Sequence, residues 1–299
     1  MAKNIAGSLT RSLVVVTLLV GGSSVTCAQQ QTSDKPTTEP VYRVANDDDA
    51  QTTLASSTTT EPVAPIDRAL DIARDGLAHI RADVRDYTAT MIKRERINGA
   101  VNDAEFMKLK VRSRNEAEGI PLSVYMRFLK PAAFKGREVI WVEGRNNGKL
   151  TAHEGSGVLS GIVANLDPDG MMAMRGNRYP IYEAGIENLV FRLIEKGERD
   201  KSMGEAVVQF YEQTKINGRE CTLIQVTHAE QRPGYDFHIC RIFIDKEMQV
   251  PIRYAAYGWP LEPGGKPTLE EEYTYLNLDL NVGLTDEDFD INNSEYDFR

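Results

Sequence analysis

The sequence contains little cysteine and little histidine, and this excludes several classes of protein. Three Cys and four His occur in 299 residues, whereas a disulfide-rich scaffold contains roughly 8–10% cysteine or more. Neither a Cys-x-x-Cys pair nor a His-Glu-x-x-His motif is present. His79 and His153 are far apart in sequence; His228 and His238 could meet across a hairpin, but zinc would need further ligands. The sequence therefore predicts neither a metal site nor a cofactor.

Motifs of catalysis and nucleotide binding are missing as well. The chain has no P-loop, no dinucleotide-binding Gly pattern and no Gly-x-Ser-x-Gly nucleophile elbow. Residues 155–157 (Gly-Ser-Gly) have the wrong spacing for that elbow and indicate a flexible loop. Residues 167–170 (Asp-Pro-Asp-Gly) lack the later ligands of a calcium loop and indicate a turn. With no catalytic residue predicted, a protein without enzymatic activity is favoured, and a hydrolase with an unrecognised site is the alternative.

Only the N-terminus carries a continuous apolar run. Residues 1–28 have the three parts of a secretory signal peptide: Lys3 and Arg11, the apolar stretch 13–20, and small residues before a cut after Ala28. This stretch is well below the roughly 20 apolar residues needed to span a bilayer, and no later one is long enough. We therefore expect export to the periplasm or cell envelope, with no transmembrane segment in the mature chain.

Cys27 leaves a second processing route open, in which this residue is acylated and anchors the protein to a membrane. That route prefers an apolar residue, usually Leu, three positions before the Cys, whereas Ser24 stands there. Simple cleavage is therefore favoured over a lipid anchor at Cys27.

The charge balance argues against nucleic acid as a partner. Cleavage would remove Lys3 and Arg11 and move the formal net charge from −9 to −11. The charge is uneven: residues 93–149 contain 13 basic and 7 acidic side chains, and residues 262–299 contain 2 basic and 11 acidic ones. This pattern fits two differently charged sheet faces, or a basic surface that meets a lipid headgroup or an acidic partner. The candidates for that surface are Lys108, Lys110, Arg112 and Arg127.

The chain divides into an N-terminal linker and one folded domain. Residues 29–65 are rich in Thr, Gln, Asp and Pro and lack apolar periodicity, so they cannot bury enough surface to offset the entropy of ordering. We interpret them as a disordered linker. Residues 66–299 have a length that suits a single domain with a sizeable core.

Within this domain, periodicity predicts two helices and several strands. Apolar residues recur at helical spacing over 66–84, and again over 181–196. Asn-Gly pairs at 98–99, 147–148 and 217–218 indicate hairpin turns, because type I′ turns need positive φ at both central residues. Strands are predicted over 87–97, 107–112, 122–129, 137–143, 206–216, 221–228, 237–245, 251–257 and 271–280. The fold class is therefore α+β, with a mainly antiparallel sheet.

Two cysteines, Cys221 and Cys240, lie in strand-like runs of this domain. Export would permit a disulfide between them, and the two runs could be neighbours in a hairpin. Two buried free thiols are the alternative, since sequence does not give the distance between the residues.

Parts of the sequence resemble known families. Residues 242–254 and the tail 273–289 resemble the strand–turn–Pro–strand unit and the closing strand of the LolA/LolB-like lipoprotein carriers. Blocks 92–96, 136–144 and 177–181 are similar to an exported bacterial family known only as a domain of unknown function. This resemblance implies a curved, half-open, LolA-like β-barrel. The N-terminal and mid-chain helices would pack on its concave side around an apolar cavity.

The resemblance makes a ligand cavity the leading functional expectation. Met and aromatic side chains adapt to flexible apolar ligands. The candidates to line the cavity, each of which would also suit an ordinary core, are Met126, Phe128, Trp141, Leu159, Met171, Met172, Met174, Phe191 and Leu193. The favoured function is binding or carrying a lipid or lipoprotein acyl chain. The alternative is a sensor or interaction domain that binds another envelope protein.

Overall fold

The computed structural model describes residues 65–204 and 206–298. The predicted signal peptide over 1–28, Cys27, and the predicted linker up to residue 64 lie outside the described residues. These features therefore stay predictions.

Two α-helices, α1 (Pro65–Asp83) and α2 (Ile186–Met203), accompany one twelve-stranded antiparallel sheet in the described part of the chain. The strands are β1 (Asp86–Ile97), β2 (Ala100–Val101), β3 (Glu105–Arg112), β4 (Ser123–Lys130), β5 (Glu138–Val142), β6 (Leu150–His153), β7 (Val163–Leu166), β8 (Val207–Ile216), β9 (Arg219–Thr227), β10 (Ile239–Asp245), β11 (Pro251–Gly258) and β12 (Thr268–Leu280). Their order is β7-β6-β5-β4-β3-β1-β12-β11-β10-β9-β8, with β2 paired to β1. The sheet is curved and does not close, so the predicted α+β class with a mainly antiparallel, half-open sheet is confirmed.

Strand alternation and turn chemistry explain the meander. In β3, Met107 and Leu109 are each 1% exposed while Lys108 between them is exposed, as expected for a strand with one buried face. Asn98 and Gly99 both have positive φ, 52° and 83°, and so do Asn217 and Gly218, 49° and 83°. Both pairs thus form the tight hairpin turns that the sequence predicted.

The two helices run antiparallel and cover one face of the sheet. Lys201 pairs with Asp67 at 2.6 Å near one end, and Arg81 pairs with Glu187 at 2.8 Å near the other. The start of α2 is fixed to the sheet by Tyr87, whose hydroxyl accepts a hydrogen bond from the Ile186 amide at 2.9 Å. Ile186 is fully buried, so this contact anchors the helix inside the main core.

The C-terminal tail, residues 284–298, covers part of the opposite face of the sheet, over β4 and β5. Phe289, Tyr296 and Phe298 are 3–7% exposed and pack on Tyr125 and its buried neighbours in β5. Tyr125 and Tyr296 stack with ring centroids 4.2 Å apart. The tail is therefore a structural layer of the fold.

The structure differs from the sequence prediction in the middle of the chain. β6 and β7 were not predicted, and the second helix begins at Ile186 and extends to Met203 rather than spanning 181–196. β7 lies at one edge of the sheet and alternates between exposed and half-buried residues. A short strand with no fully buried face lacks the apolar alternation that identifies strands in a sequence.

Gly155 and Gly76 give opposite predictions for substitution by alanine. A Cβ at Gly155 would lie 2.0 Å from the carbonyl carbon of Gly136, whereas a Cβ at Gly76 would meet nothing within 4 Å. We expect Gly155→Ala to lower the free energy of unfolding by about 1–3 kcal/mol through forced backbone movement. Gly76→Ala should raise it by about 0.5–1 kcal/mol, because Gly is a poor residue inside a helix. Urea unfolding of both variants checks this, and equal effects would contradict the packing.

Candidate ligand cavity

A cavity of about 590 Å³ lies between α1, α2 and strands β8 to β11. Its size falls within the range typical of small-molecule sites. Apolar side chains from both helices and the sheet form its body: Ile66, Ala69, Leu70, Ile72, Ala73, Val190, Leu193, Ile224, Val226, Ile242 and Ile244. An amphiphile with a long apolar chain could contact such a surface along its length.

The cavity exists because α1 presents small residues towards the sheet. Ala69, Ala73 and Gly76 follow one another at spacings of four and three along one helix face, and all three line the cavity. At Gly76 the space beyond the backbone is open. In a fully packed core these positions would carry side chains the size of leucine. This stripe is the sequence signal that could have located the cavity.

One end of the cavity, which we call the His79 end, is lined by His79, Asp75, Glu212, Asp245 and Lys246. Four of these groups are engaged with one another or with other parts of the chain: Lys246 donates to the Glu212 carbonyl at 2.6 Å, one His79 ring nitrogen lies 3.2 Å from the Met248 carbonyl, and Arg219 donates to Asp245 at 2.9 Å. These four side chains therefore have internal partners.

Asp245 is held at the His79 end by a dense set of donors. Burial opposes its ionisation, but hydrogen bonds from Arg219 and from the amides of Met248 and Glu247 outweigh burial and lower the pKa of the Asp245 carboxyl below its usual value. The Arg219 bond to Oδ1 is 2.9 Å long. Asp245 thus fixes the turn between β10 and β11 beside the cavity.

The other end, which we call the Asp200 end, is lined by Lys196, Asp200, Phe237 and Cys240. Asp200 is 2% exposed, and its Oδ2 faces Nε2 of His228 at 3.3 Å. The other ring nitrogen, Nδ1, lies 3.0 Å from the Phe237 carbonyl and donates to it, since a carbonyl oxygen can only accept. A buried acid–imidazole pair therefore closes this part of the wall.

The two cysteines are free and buried, which corresponds to the second of the two alternatives that the sequence left open. They lie on adjacent strands, as predicted, but Cys240 pairs with Val226 while Cys221 pairs with Asp245. The five-residue offset corresponds to roughly 16 Å along a strand, far beyond the roughly 7 Å limit between the Cα atoms of a disulfide. Burial raises the pKa of both thiols, that of Cys221 to about 11, so both stay protonated near neutral pH.

The structure places the cavity elsewhere than the sequence suggested. Of the nine predicted lining residues, Leu193 lines the observed cavity. Phe128 and Trp141 are buried in the main core, and Met126 packs against it. The others are exposed or half-buried, with Met171 at 88% exposure: Leu159, Met171, Met172, Met174 and Phe191. Residue type alone could not separate cavity walls from core, because both are apolar.

The chain's own acidic tail contacts three of the four residues of the predicted basic surface. Lys110 pairs with Asp288 at 2.7 Å and Arg112 with Asp286 at 2.6 Å. Arg127 contacts Glu138 and Asp297, each at 3.1 Å. Lys108 is exposed and donates to the Thr90 hydroxyl at 3.2 Å. The charge asymmetry of the sequence is therefore satisfied largely within the molecule.

Two of the sequence blocks that carried the family resemblance meet in a buried ionic network. Lys93 lies 3.1 Å from Glu105 and donates to Asn177, and Glu95 accepts the Arg178 amide at 3.0 Å. Glu95 also accepts from the Tyr273 hydroxyl. The two blocks therefore form one structural contact in this chain, between β1 and the segment before α2.

The same network reaches the cavity through Glu271. This carboxylate accepts from the Tyr254 hydroxyl at 2.8 Å, and its Oε1 lies 3.8 Å from the Lys196 ammonium.

Among the described residues, no group of three or more His, Cys, Asp or Glu side chains is placed to hold a metal ion. Neither described helix has the length and apolarity to cross a membrane.

Comparison with protein families gives one match. Residues 84–298 match the family described as "Protein of unknown function (DUF1571)". The predicted resemblance to a family known only as a domain of unknown function is confirmed. The comparison with curated proteins found no match.

Several solved structures are similar to this chain. A domain of an outer membrane lipoprotein-sorting protein from Vibrio parahaemolyticus has 14% identity and a TM-score of 0.35, covering 76% of this chain and 98% of that one. The lipoprotein LppX from Mycobacterium tuberculosis has 12% identity and a TM-score of 0.41, covering 73% and 98%. The MucA/MucB complex of Pseudomonas aeruginosa has 14% identity and a TM-score of 0.40, covering 75% and 60%. Likeness at this level carries no argument about ligand or partner.

Asp245 should make stability depend on pH in the acid range. Because its folded pKa is lowered, its contribution is complete above the unfolded pKa of about 4 and disappears as the pH falls through the folded pKa. We expect Asp245→Asn to lower the free energy of unfolding by about 1–3 kcal/mol at pH 7, with the difference from wild type shrinking towards pH 3. Urea unfolding across this pH range measures it. The control is Glu247→Gln, since Glu247 is exposed and also contacts Arg219; an equal loss there would contradict the assignment.

Proposed function

This chain belongs to the DUF1571 family of proteins of unknown function, and from that premise we propose that it binds an apolar ligand in the cavity between α1, α2 and the sheet. The ligand is a lipid or the acyl chain of a lipoprotein, held without covalent chemistry. The predicted signal peptide supports action in the cell envelope.

The observation that carries this proposal is the unfilled apolar space beneath α1. Cavities lined by apolar side chains offer no hydrogen bonds to water and therefore favour apolar occupants. Transfer of an acyl chain into such a space stabilises the complex by about 0.8 kcal/mol per buried CH₂. A chain of a dozen carbons would thus supply enough free energy for stable binding even after the loss of translational freedom.

The state of the cysteine that lines the cavity supports binding rather than catalysis. Burial raises the pKa of the Cys240 thiol, and the thiolate is the reactive form. Cys240 is therefore held in its unreactive form.

An interaction domain is a second candidate, favoured by an exposed apolar segment around the edge strand β7. Val158 is fully exposed, and Met171 and Met172 are 88% and 71% exposed. Exposed apolar groups beside an unpaired strand edge are typical of protein contact sites. Crosslinking from residue 158 to one defined envelope protein, with an unoccupied cavity in the same preparation, would favour this candidate.

Filling the cavity should abolish ligand binding without unfolding the protein. Gly76→Leu places a side chain into open space and also suits a helix better than Gly. We expect it to weaken binding of the fluorescent apolar probe N-phenyl-1-naphthylamine by about tenfold or more, with an unchanged or higher melting temperature. The measurement is a probe titration of the mature chain followed by displacement with dodecanol.

Ala82→Leu is the matched control, because Ala82 is an exposed residue of the same helix that does not line the cavity. It adds an apolar side chain to α1 and should leave probe binding unchanged. Equal probe affinity in Gly76→Leu and wild type would place the probe elsewhere and remove the proposal.

A further inference from the structure

The Asp200 end of the cavity combines a donor and an acceptor on one helix face. Lys196 and Asp200 are four residues apart on α2, and both line the cavity. Residues at this spacing lie one above the other on a helix, with Cβ atoms roughly 5–6 Å apart. Two opposite charges are thus presented side by side at one end of a cavity whose middle is lined by apolar side chains.

Asp200 has acceptor capacity that the protein does not use. Its Oδ2 faces His228, but its Oδ1 is buried and has no hydrogen-bond partner among the described residues. Nδ1 of His228 donates to the Phe237 carbonyl, and Nε2, although 3.3 Å from Oδ2, makes no hydrogen bond with the described residues. Oδ1 is therefore a buried acceptor without a donor. Such an acceptor is unfavourable, because it has lost its hydrogen bonds to water.

Lys196 has unused donors at the same place. Its Nζ lies 3.7 Å from Asp236 and 3.8 Å from Glu271. Both distances are ion-pair contacts beyond hydrogen-bond length, and the ammonium group makes no hydrogen bond with the described residues. An ammonium group has three N–H donors to satisfy. Lys196 and Asp200 thus have ion-pair partners but keep a donor and an acceptor free for a ligand.

We infer that this pair recognises the polar head of the ligand, and that this head is uncharged and both donates and accepts a hydrogen bond, as an alcohol hydroxyl or a primary amide does. The inference rests on the proposed function, since it concerns the same cavity. The head accepts from Lys196 and donates to Asp200, while the apolar chain extends along α1 towards the His79 end.

Charged heads complement only half of the pair. A carboxylate would accept from Lys196 but would place a negative charge beside Asp200. An alkylammonium would donate to Asp200 but would repel Lys196. Since electrostatic interactions are stronger in a partly buried site than in water, each mismatch disfavours binding, and the site discriminates through repulsion as much as attraction.

The test compares four probes with the same chain of twelve carbons: dodecanol, dodecanamide, dodecanoate and dodecylammonium. Each displaces N-phenyl-1-naphthylamine from the mature wild-type protein at pH 7. We expect the two neutral probes to bind about tenfold more tightly than either ion, the size of one hydrogen bond to a charged group.

Two variants should shift the preference in opposite directions. Asp200→Asn removes the negative charge and should bring dodecanoate to within about threefold of dodecanol. Lys196→Met removes the positive charge at similar length and should do the same for dodecylammonium. Glu195→Gln is the matched control, since Glu195 is an exposed acid of α2 outside the cavity; it should keep the wild-type order.

The outcomes separate the two proposals. If no probe displaces the dye from wild type, the ligand-binding function itself fails. If all four displace it equally, or if both variants keep the wild-type order, the function stands and the assignment of Lys196 and Asp200 is overturned. Circular dichroism confirms that each variant is folded, and the wild-type series alone decides the question if one variant is not.

Discussion

The packing of α1 on α2 determines how much space remains above the sheet. Leu70 rests on Gly197, where a Cβ would lie only 2.9 Å from its Cδ2, so the helices approach closely at this point. Ion pairs fix their antiparallel alignment, and Tyr87 fixes the start of α2. With both helices held at a set height, the small residues facing the sheet leave a void. The cavity is therefore a product of helix spacing, with the sheet as its floor.

The two faces of the sheet are covered by different parts of the chain. The helix-facing side is apolar along β1, β3 and β4 and carries the core and the cavity. The other side carries basic residues between aromatic ones, and an acidic tail with its own aromatics covers it. The folded tail of opposite charge neutralises most of the predicted basic surface within the molecule. The uneven charge of the sequence therefore suggested a free basic surface, whereas the tail covers it in the structure.

The features that the sequence predicted correctly are those that depend on interactions between residues close together in the chain. Alternation in β3 and the Asn98-Gly99 turn follow from backbone sterics and solvent exposure, which act over a few residues. The tail's position and the offset between Cys221 and Cys240 depend on register between distant strands, which no local pattern encodes. The cavity depends on both kinds of information. The stripe of small residues on α1 is visible in the sequence, but the stripe leaves a void only because α2 holds α1 at a fixed distance from the sheet.

Gly76 links the stability of this protein to its occupant. Glycine inside a helix costs about 1 kcal/mol relative to alanine, and the apolar walls beside it lack packing partners. Under the proposed function, an occupant would return those contacts and stabilise the native state by an amount that grows with the logarithm of its concentration over its dissociation constant. The helix position that weakens the empty fold would then make the free energy of unfolding depend on whether the cavity is filled.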